Sequence, residues 1–457
     1  MKVCIAGLLC CPGKNARPSH VGVLCCDKPD VLGIDRLFYL AHNSLCWKKR
    51  LPEGKRIVVL GAGFGGLASA NLLRKGLSEE HQITVIDRKD HFVMGFVNLW
   101  ILNGSRSLEE SKTALSNLKS RGISFLQEDV TAINPFEKSV TTVPSSSSMA
   151  AGQGHKHAYD YLVLALGAEY APEQIDGFAE NGGFNLYDAE QIPKLRKEIL
   201  SLKRGRIALC ITKFPYKCPP APYEASLLVN EILTKNGTRE NVDIDVYTPS
   251  PIALPVAGPR VSNDVAGLLD KNRIRFHPSQ RLKSVSVEQL CFECDGDGGT
   301  REESVGYELL MAIPPHKLPP VIKNSGFIMD GQKWVEVDRF SLKTKYENAY
   351  AIGDVTEIRV SQNVSIPKAG IFAEGQAKVV CQQILNDIRK NQSGAPQFNG
   401  KGFCFMEVGN NKAGYIDTDF YNEGGPITRL EPPSEESYRK KVDFEKSRLG
   451  EWLLSSS

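Results

Sequence analysis

No apolar run in this chain approaches the roughly 18 to 20 residues that a membrane-spanning helix needs. The longest, YLVLALGA and CIAGLLCC, stop far short. A spanning protein is therefore not expected, and what remains is a soluble protein or one seated on a membrane surface. An excess of either charge is also missing: 56 basic residues face 53 acidic ones, a net charge of +3. No basic block interleaves with aromatics, so nothing argues for nucleic acid. The C-x-x-C-H signature is absent, which excludes covalent c-type haem on this chain. Between residues 47 and 209 there is no cysteine at all.

The cysteines that are present are unevenly placed. Of twelve, Cys4, Cys10, Cys11, Cys25, Cys26 and Cys46 crowd the start; Cys210, Cys218, Cys291, Cys294, Cys381 and Cys404 are scattered later. A chain of 457 residues is long enough for two or three domains and a sizeable core. It needs no disulfide scaffold, so most thiols are expected reduced and buried, and any disulfide catalytic rather than structural. Residues 1–52 read as an extension without period. Their first acidic residue is Asp27, which fits organellar, mitochondrial targeting; a plain disordered tail or a misplaced start fits as well.

After the extension the pattern sharpens. Arg56 to Leu60 reads as a strand, about Phe64 to Arg74 as a helix, and QITVID, ending at Asp87, as a second strand. Gly61, Gly63 and Gly66 between them have G-x-G-x-x-G spacing. The first glycine permits a tight turn, the second lets backbone approach a pyrophosphate, and the third lets helix and strand pack closely. The helix start offers free amides and positive dipole to phosphates. Asp87, 21 residues beyond Gly66, is placed to accept from ribose hydroxyls.

Further on, residues 145–158 form a polar insertion, expected as a hairpin tip with His155 and His157 solvated. YDYLVLALGA (Tyr159 to Ala168) is an apolar strand closed by small residues. A second strand–helix–strand unit follows: RIALCI, a helix near Tyr223 to Lys235, then VDIDVYTPS. It lacks a glycine-rich loop and carries TKFPYKCPP in that place. NAYAIGD delivers Gly353 and Asp354, and a helix is expected from about Pro367. A charged amphipathic helix, Ser434 to Leu454, ends the chain. The domain reading is an extension at 1–52, a split FAD-type domain at 53–170 and 331–395, a second dinucleotide-type domain at 171–330, and a small lobe at 396–457.

Together VVLGAGFGGL, YDYLVLALGA and AYAIGD resemble the two-dinucleotide-binding flavoproteins, an α/β class built from two Rossmann-like domains. Within that class KCPPAPYE, IPKAGIFAEGQAKVV and GFCFMEVG resemble the sulfide:quinone oxidoreductase and flavocytochrome c sulfide dehydrogenase family, over about residues 55–454. The resemblance implies FAD held by Gly61, Gly63, Phe64, Gly65, Gly66, Asp87, Arg88, Val130, Gly167, Gly353, Asp354 and Gly370. It implies that the second unit has given up NAD(P)H and presents Cys218 to the flavin, with Cys404 as redox partner and Lys368 adding charge beside the flavin. Sulfide is then the substrate, with a quinone or c-type cytochrome as acceptor; a homodimer and peripheral membrane contact are compatible with it. Many sulfide:quinone enzymes have a third cysteine upstream of the loop that carries Cys218, and the chain departs from them in having none between residues 47 and 209.

Plainer readings stand beside these. Cys218 also fits an inert strand-end cysteine, and Cys404 a buried core position. Cys210 and Cys381 are expected in the core. Cys291 and Cys294 make an unsupported C-x-x-C in a polar hairpin, and His316 is expected in a solvated loop. For the whole chain, the alternatives are a type II NADH:quinone dehydrogenase and a flavin-binding redox sensor.

Overall fold

A computed structural model describes residues 54–145, 154–296, 299–362, 364–391, 394 and 396–454. The extension at 1–52, with its six cysteines, lies outside the described residues. All that follows concerns the unit Gly54–Ser457.

The first sheet has seven strands, in the order Ala349–Ala351, Tyr161–Leu164, Arg56–Leu60, Gln82–Asp87, Ser124–Asn134, Ser139–Pro144 and His155–Ala158. The first five pair in parallel and the last two turn back antiparallel. Beyond the exposed Arg56, the central strands are apolar because both faces are covered. The helix Phe64–Gly76 packs against the helix Gly370–Ile388 on one side. Register places Leu60 beside Leu164 and Leu164 beside Ala351. The loops that leave these strands, at Gly61, Ala165 and Gly353, therefore meet at one edge. Outside the carboxyl ends of parallel strands is where such sheets bind nucleotides.

The second sheet has five parallel strands, ordered Phe184–Asn185, Leu309–Ile313, Gly205–Ile211, Val242–Tyr247 and Arg275–His277. Ile211 pairs with Ile313, so the loop after Ile211 runs beside Pro314 to His316. A two-stranded ribbon, Glu169–Tyr170 with His316–Lys317, sets Tyr170 against His316. An antiparallel hairpin layer (Gln280–Val285, Gln289–Gly296, Gly299–Gly306) flanks this sheet. The C-terminal lobe is a three-stranded antiparallel sheet (Lys401–Gly409, Lys412–Asp419, Ile427–Leu430) with the helix Glu435–Trp452 packed across it.

Three local expectations change. The helix expected from Pro367 starts at Gly370, after an N-cap at Ala369 in extended conformation, so Pro367 precedes the first turn. His155 and His157 are on an edge strand rather than in a loop tip. Both reach the Glu128 carboxylate, at 2.9 and 3.3 Å, and Thr142 donates its hydroxyl to the same group. His316 is half-buried rather than solvated, with its ring against Tyr170 and Tyr187. Cys210 and Cys381 are buried core residues as expected. Cys291 and Cys294 lie three apart on one strand, which points them to opposite faces; Cys294 packs into the core and Cys291 contacts Glu302.

Candidate active site

The glycine loop matches the physical roles assigned to it. Gly61 has φ of +97°, and a Cβ there would lie 2.3 Å from the Ala165 carbonyl oxygen. A Cβ on Gly66 would lie 1.8 Å from the Gly61 carbonyl oxygen, so helix and strand can approach only if this residue has no side chain. Gly63 is different: nothing lies within 4 Å of a Cβ built on it. It is also the N-cap of its helix, and no side chain caps the first amides. The helix thus opens onto free space with its amides unsatisfied, the arrangement a pyrophosphate fills. Asp87 accepts from the Ala62 amide at 2.7 Å and from Lys89 at 2.9 Å, which holds its carboxylate against the loop.

Of the other candidate cofactor residues, Arg88 is exposed and pairs with Glu169 at 3.4 Å. Val130 is half-buried beside a register shift in its strand. Gly167 has φ of +70° and open space around it. Gly370 lies under the ring of Phe64, which its missing side chain admits. Gly353 donates its amide to Gln376 Oε1 at 2.7 Å. Asp354, next to it, is half-buried, and its carboxylate accepts no hydrogen bond from the described residues. Burial raises its pKa, while Lys368 and Lys217 oppose the rise. An orphan acceptor at this edge of the sheet fits the hydroxyl groups of a ribityl chain. The residues present therefore suit FAD.

Lys368 does not project freely. Its side chain is buried, with Nζ 3.4 Å from the centre of the Trp334 ring, and donates to the carbonyl oxygens of Asp354 (2.6 Å) and Thr356 (2.9 Å). Burial brings its pKa down to about 8. It delivers charge beneath the Gly353–Asp354 turn and fixes that turn's backbone.

Cys218 sits where the second unit would carry a glycine loop. Its φ is +49°, a left-handed conformation that costs a non-glycine residue about 1 kcal/mol or more. Both its backbone groups are tied down. The amide donates to the Lys368 carbonyl at 2.7 Å; the carbonyl accepts from the Tyr187 hydroxyl at 3.2 Å and from the Ala221 amide at 3.0 Å. The loop is closed underneath by buried Tyr216, whose hydroxyl donates to the Pro219 carbonyl at 3.1 Å. So held, Cys218 has Cys404, on the strand Lys401–Gly409, as the neighbour that acts on its thiol most strongly. Cys404 is the largest cause raising the Cys218 pKa. Burial and the charge of Glu224 add to it, and Lys441 opposes it. Cys404 is half-buried and its thiol donates weakly to the Phe405 carbonyl.

The two cysteine segments are joined by a group that sequence reading missed. Glu224, six residues after Cys218, accepts from the Glu407 amide at 2.8 Å, and Glu407 follows Cys404 by three. Lys441, on the last helix, donates to Glu224 at 3.0 Å and to Glu407 at 2.8 Å; all three side chains are nearly inaccessible. Trp100 Nε1 donates to Glu407 at 2.9 Å. Each glutamate lies inside a stretch that the sequence already singles out, but nothing in the sequence pairs them with a lysine at position 441.

Comparisons with known proteins bear on the fold and the family. The family described as pyridine nucleotide-disulphide oxidoreductase matches residues 55–209. The fold is that of a two-dinucleotide-binding flavoprotein, and its second unit carries Cys218 where a glycine loop would stand. A mouse protein named mitochondrial sulfide:quinone oxidoreductase is 25% identical over 83% of this chain and 81% of its own length. An Aquifex aeolicus sulfide-quinone reductase is 28% identical over 80% and 84%. The crystal structure of the sulfide:quinone oxidoreductase from Aquifex aeolicus superimposes with a TM-score of 0.77 at 25% identity, covering 88% of this chain and 93% of that one. These relatives and this crystal structure support the likeness of the chain to the sulfide:quinone oxidoreductases over most of its length.

Proposed function

We propose that the protein is an FAD-dependent sulfide oxidoreductase that passes its electrons to a quinone. The observation that carries the reading is Cys218 in the place of a dinucleotide loop, with the Cys404 segment tied to it through the Glu407 amide and Glu224 at 2.8 Å. In its oxidised form the proposed pair is a disulfide. Hydrosulfide attacks one of its sulfurs, the S–S bond breaks, a persulfide remains on that cysteine and the other leaves as a thiolate. Bound FAD supplies the two-electron acceptor between sulfide and quinone. The chain's part is to position: Gly63 and the first amides of its helix bind pyrophosphate, Asp354 accepts from the ribityl chain, and the free amides at Gly370 face anionic charge. Lys368 holds the Asp354 turn.

A quinone is favoured over a cytochrome as acceptor because the relatives are named for quinone. The mouse relative is also named mitochondrial, and we place this protein in the same compartment, in contact with the membrane surface. Among the described residues no helix is long and apolar enough to cross a membrane.

The test is an anaerobic flavin absorbance titration with sulfide in one cuvette and NADH in another. Bleaching by sulfide alone is expected. Bleaching by NADH alone would transfer the reading to a dehydrogenase, and bleaching by neither to a redox sensor.

A further inference from the structure

Cys218 holds a conformation that its own sequence opposes. Its φ of +49° is left-handed, which is disfavoured for a non-glycine residue by about tenfold. Pro219 follows, and a proline pushes the residue before it toward extended backbone. Rotation about φ turns the Cα–Cβ bond around the amide, so a straightened Cys218 would carry its sulfur elsewhere. Something outside the loop must hold the residue.

Fixing φ requires a hold on both sides of the Cα. On one side the Cys218 amide donates to the Lys368 carbonyl at 2.7 Å. On the other side the carbonyl accepts from two donors. The Ala221 amide, at 3.0 Å, lies three residues on in the same loop and moves with it. The Tyr187 hydroxyl, at 3.2 Å, comes from a separate segment. Among the described residues it is therefore the group that refers this carbonyl to the rest of the fold.

Tyr187 is itself firmly placed. The Leu186 amide donates to the Ala312 carbonyl at 3.0 Å, which continues the five-stranded sheet. The Tyr187 amide donates to Oδ1 of buried Asn185 at 3.0 Å, and its carbonyl accepts from the Tyr170 hydroxyl at 3.3 Å. Its ring stacks on Tyr170, with centroids 6.3 Å apart, and meets His316 edge-on at 5.9 Å. The hydroxyl is thus a fixed point for the loop to hang from.

We propose that Tyr187 is a positioning residue for the thiol chemistry: its hydroxyl, through the Cys218 carbonyl, holds the left-handed backbone that directs the Cys218 sulfur. This rests on the redox role assigned to Cys218 and Cys404 above. A hydrogen bond between neutral groups is worth about fivefold net, the same order as the strain it opposes. Its loss is therefore enough to bring the straightened loop into competition.

The experiment uses the full-length FAD-loaded protein, with Tyr187→Phe and Tyr346→Phe as variants. Tyr187→Phe removes the hydroxyl and keeps the ring against Tyr170 and His316. Tyr346→Phe is the control: it removes a hydroxyl that donates to the Gly326 carbonyl at 3.1 Å, on a separate core cluster. In glutathione buffers the Cys218 and Cys404 thiols and one glutathione disulfide give the protein disulfide and two glutathione thiols. Peptide mass spectrometry measures that equilibrium constant. Hydrogen exchange of the Cys218 amide in the reduced protein follows the bond to Lys368 and needs no disulfide. In Tyr187→Phe the equilibrium constant should fall about fivefold and the amide should exchange about fivefold faster, with neither change in Tyr346→Phe. Where the wild type forms the disulfide, either readout unmoved in Tyr187→Phe overturns the proposal, and so do equal changes in Tyr346→Phe. If the wild type forms no Cys218–Cys404 disulfide in any buffer, the pair and the functional reading fall. Faster exchange in Tyr187→Phe would then still support the hold of Tyr187 on Cys218, and unchanged exchange would remove that as well.

Discussion

The Cys218 amide donates to the Lys368 carbonyl at 2.7 Å, and Lys217 and Lys368 are bridged as parallel strand partners. One hydrogen bond thus joins the thiol loop of the second unit to the segment whose lysine fixes the Gly353–Asp354 turn of the first. The thiol loop and the Gly353–Asp354 turn are registered by backbone, which tolerates less error than side-chain contacts do.

From this follows the effect of removing either sulfur. Cys218→Ser and Cys404→Ser should each slow sulfide-driven flavin reduction by a hundredfold or more, about 3 kcal/mol in barrier, because a hydroxyl forms no disulfide for sulfide to attack. FAD content should be unchanged, since neither residue touches the glycine loop. Stopped-flow bleaching and the ratio of flavin to protein absorbance check both halves. Retained reduction in either variant would remove that cysteine from the pair.

The glycine loop gives a paired prediction. In Gly63→Ala the new methyl group enters open space at an ordinary φ of −82°, so the apoprotein should melt within about a degree of wild type. That same methyl occupies the approach of a pyrophosphate, so FAD affinity should fall at least tenfold. In Gly66→Ala the methyl meets a carbonyl oxygen, and the apoprotein itself should lose about 2 kcal/mol or more. Thermal melts of apoprotein and flavin titrations separate the two cases.

How much of this was legible in the sequence depends on whether the signal is local. The first nucleotide unit could be read because turn, close approach and helix start all lie within 30 residues, and each demands a particular residue type. The Cys218 loop was visible as an absence of glycine. Its left-handed backbone was not, because it is imposed by Lys368 and Tyr187 from distant segments. The start of the helix at Gly370 was misplaced for a related reason: proline favours a first turn, but here Pro367 and Lys368 are held extended by the bridge to Lys217. His316 read as solvated because prolines surround it, and its burial comes from pairing with Tyr170, which lies 146 residues earlier. Long-range pairing of polar groups leaves no periodic trace.

Asp245 offers a test by acid. It lies in the middle of a strand with a carboxylate only 1% exposed, accepting from Arg206 (2.9 Å), Arg275 (2.7 Å) and His277 (2.6 Å). Burial raises its pKa, but hydrogen bonds from His277 and Arg275 overcome this and bring it down to about 2. A depressed carboxylate contributes stability that is present above its unfolded pKa, near 3.8, and lost as pH falls toward 2. Asp245→Asn should therefore cost roughly 2 kcal/mol at pH 7, and the deficit should shrink between pH 4 and pH 2. Urea unfolding at a series of pH values measures it; a deficit independent of pH would mean that packing rather than charge holds the site.

Lys441 gives the prediction that separates charge from packing near the thiols. Its ammonium is shared by two buried carboxylates, and its pKa is raised because Glu224 and Glu407 outweigh the cost of burial. Lys441→Met keeps an aliphatic chain of similar length but removes the ammonium that lies 5.3 and 5.7 Å from the centres of the Phe96 and Trp100 rings, and leaves two carboxylates without a cation. Breaking a buried pair in this way costs about 3 to 5 kcal/mol. The Glu224 pKa is raised by burial even with the lysine present, and without it the rise must be larger. A carboxylate whose folded pKa is raised loses stability as pH rises above its unfolded value, so the variant should be weaker at pH 8 than at pH 5. Adding Glu407→Gln removes one of the two unpaired charges and should recover part of the loss at pH 8 but little at pH 5. Melting curves of the three proteins at both pH values decide it. Equal losses at pH 5 and pH 8 would show that the lysine matters for shape, and that its charge is not what joins the two cysteine segments.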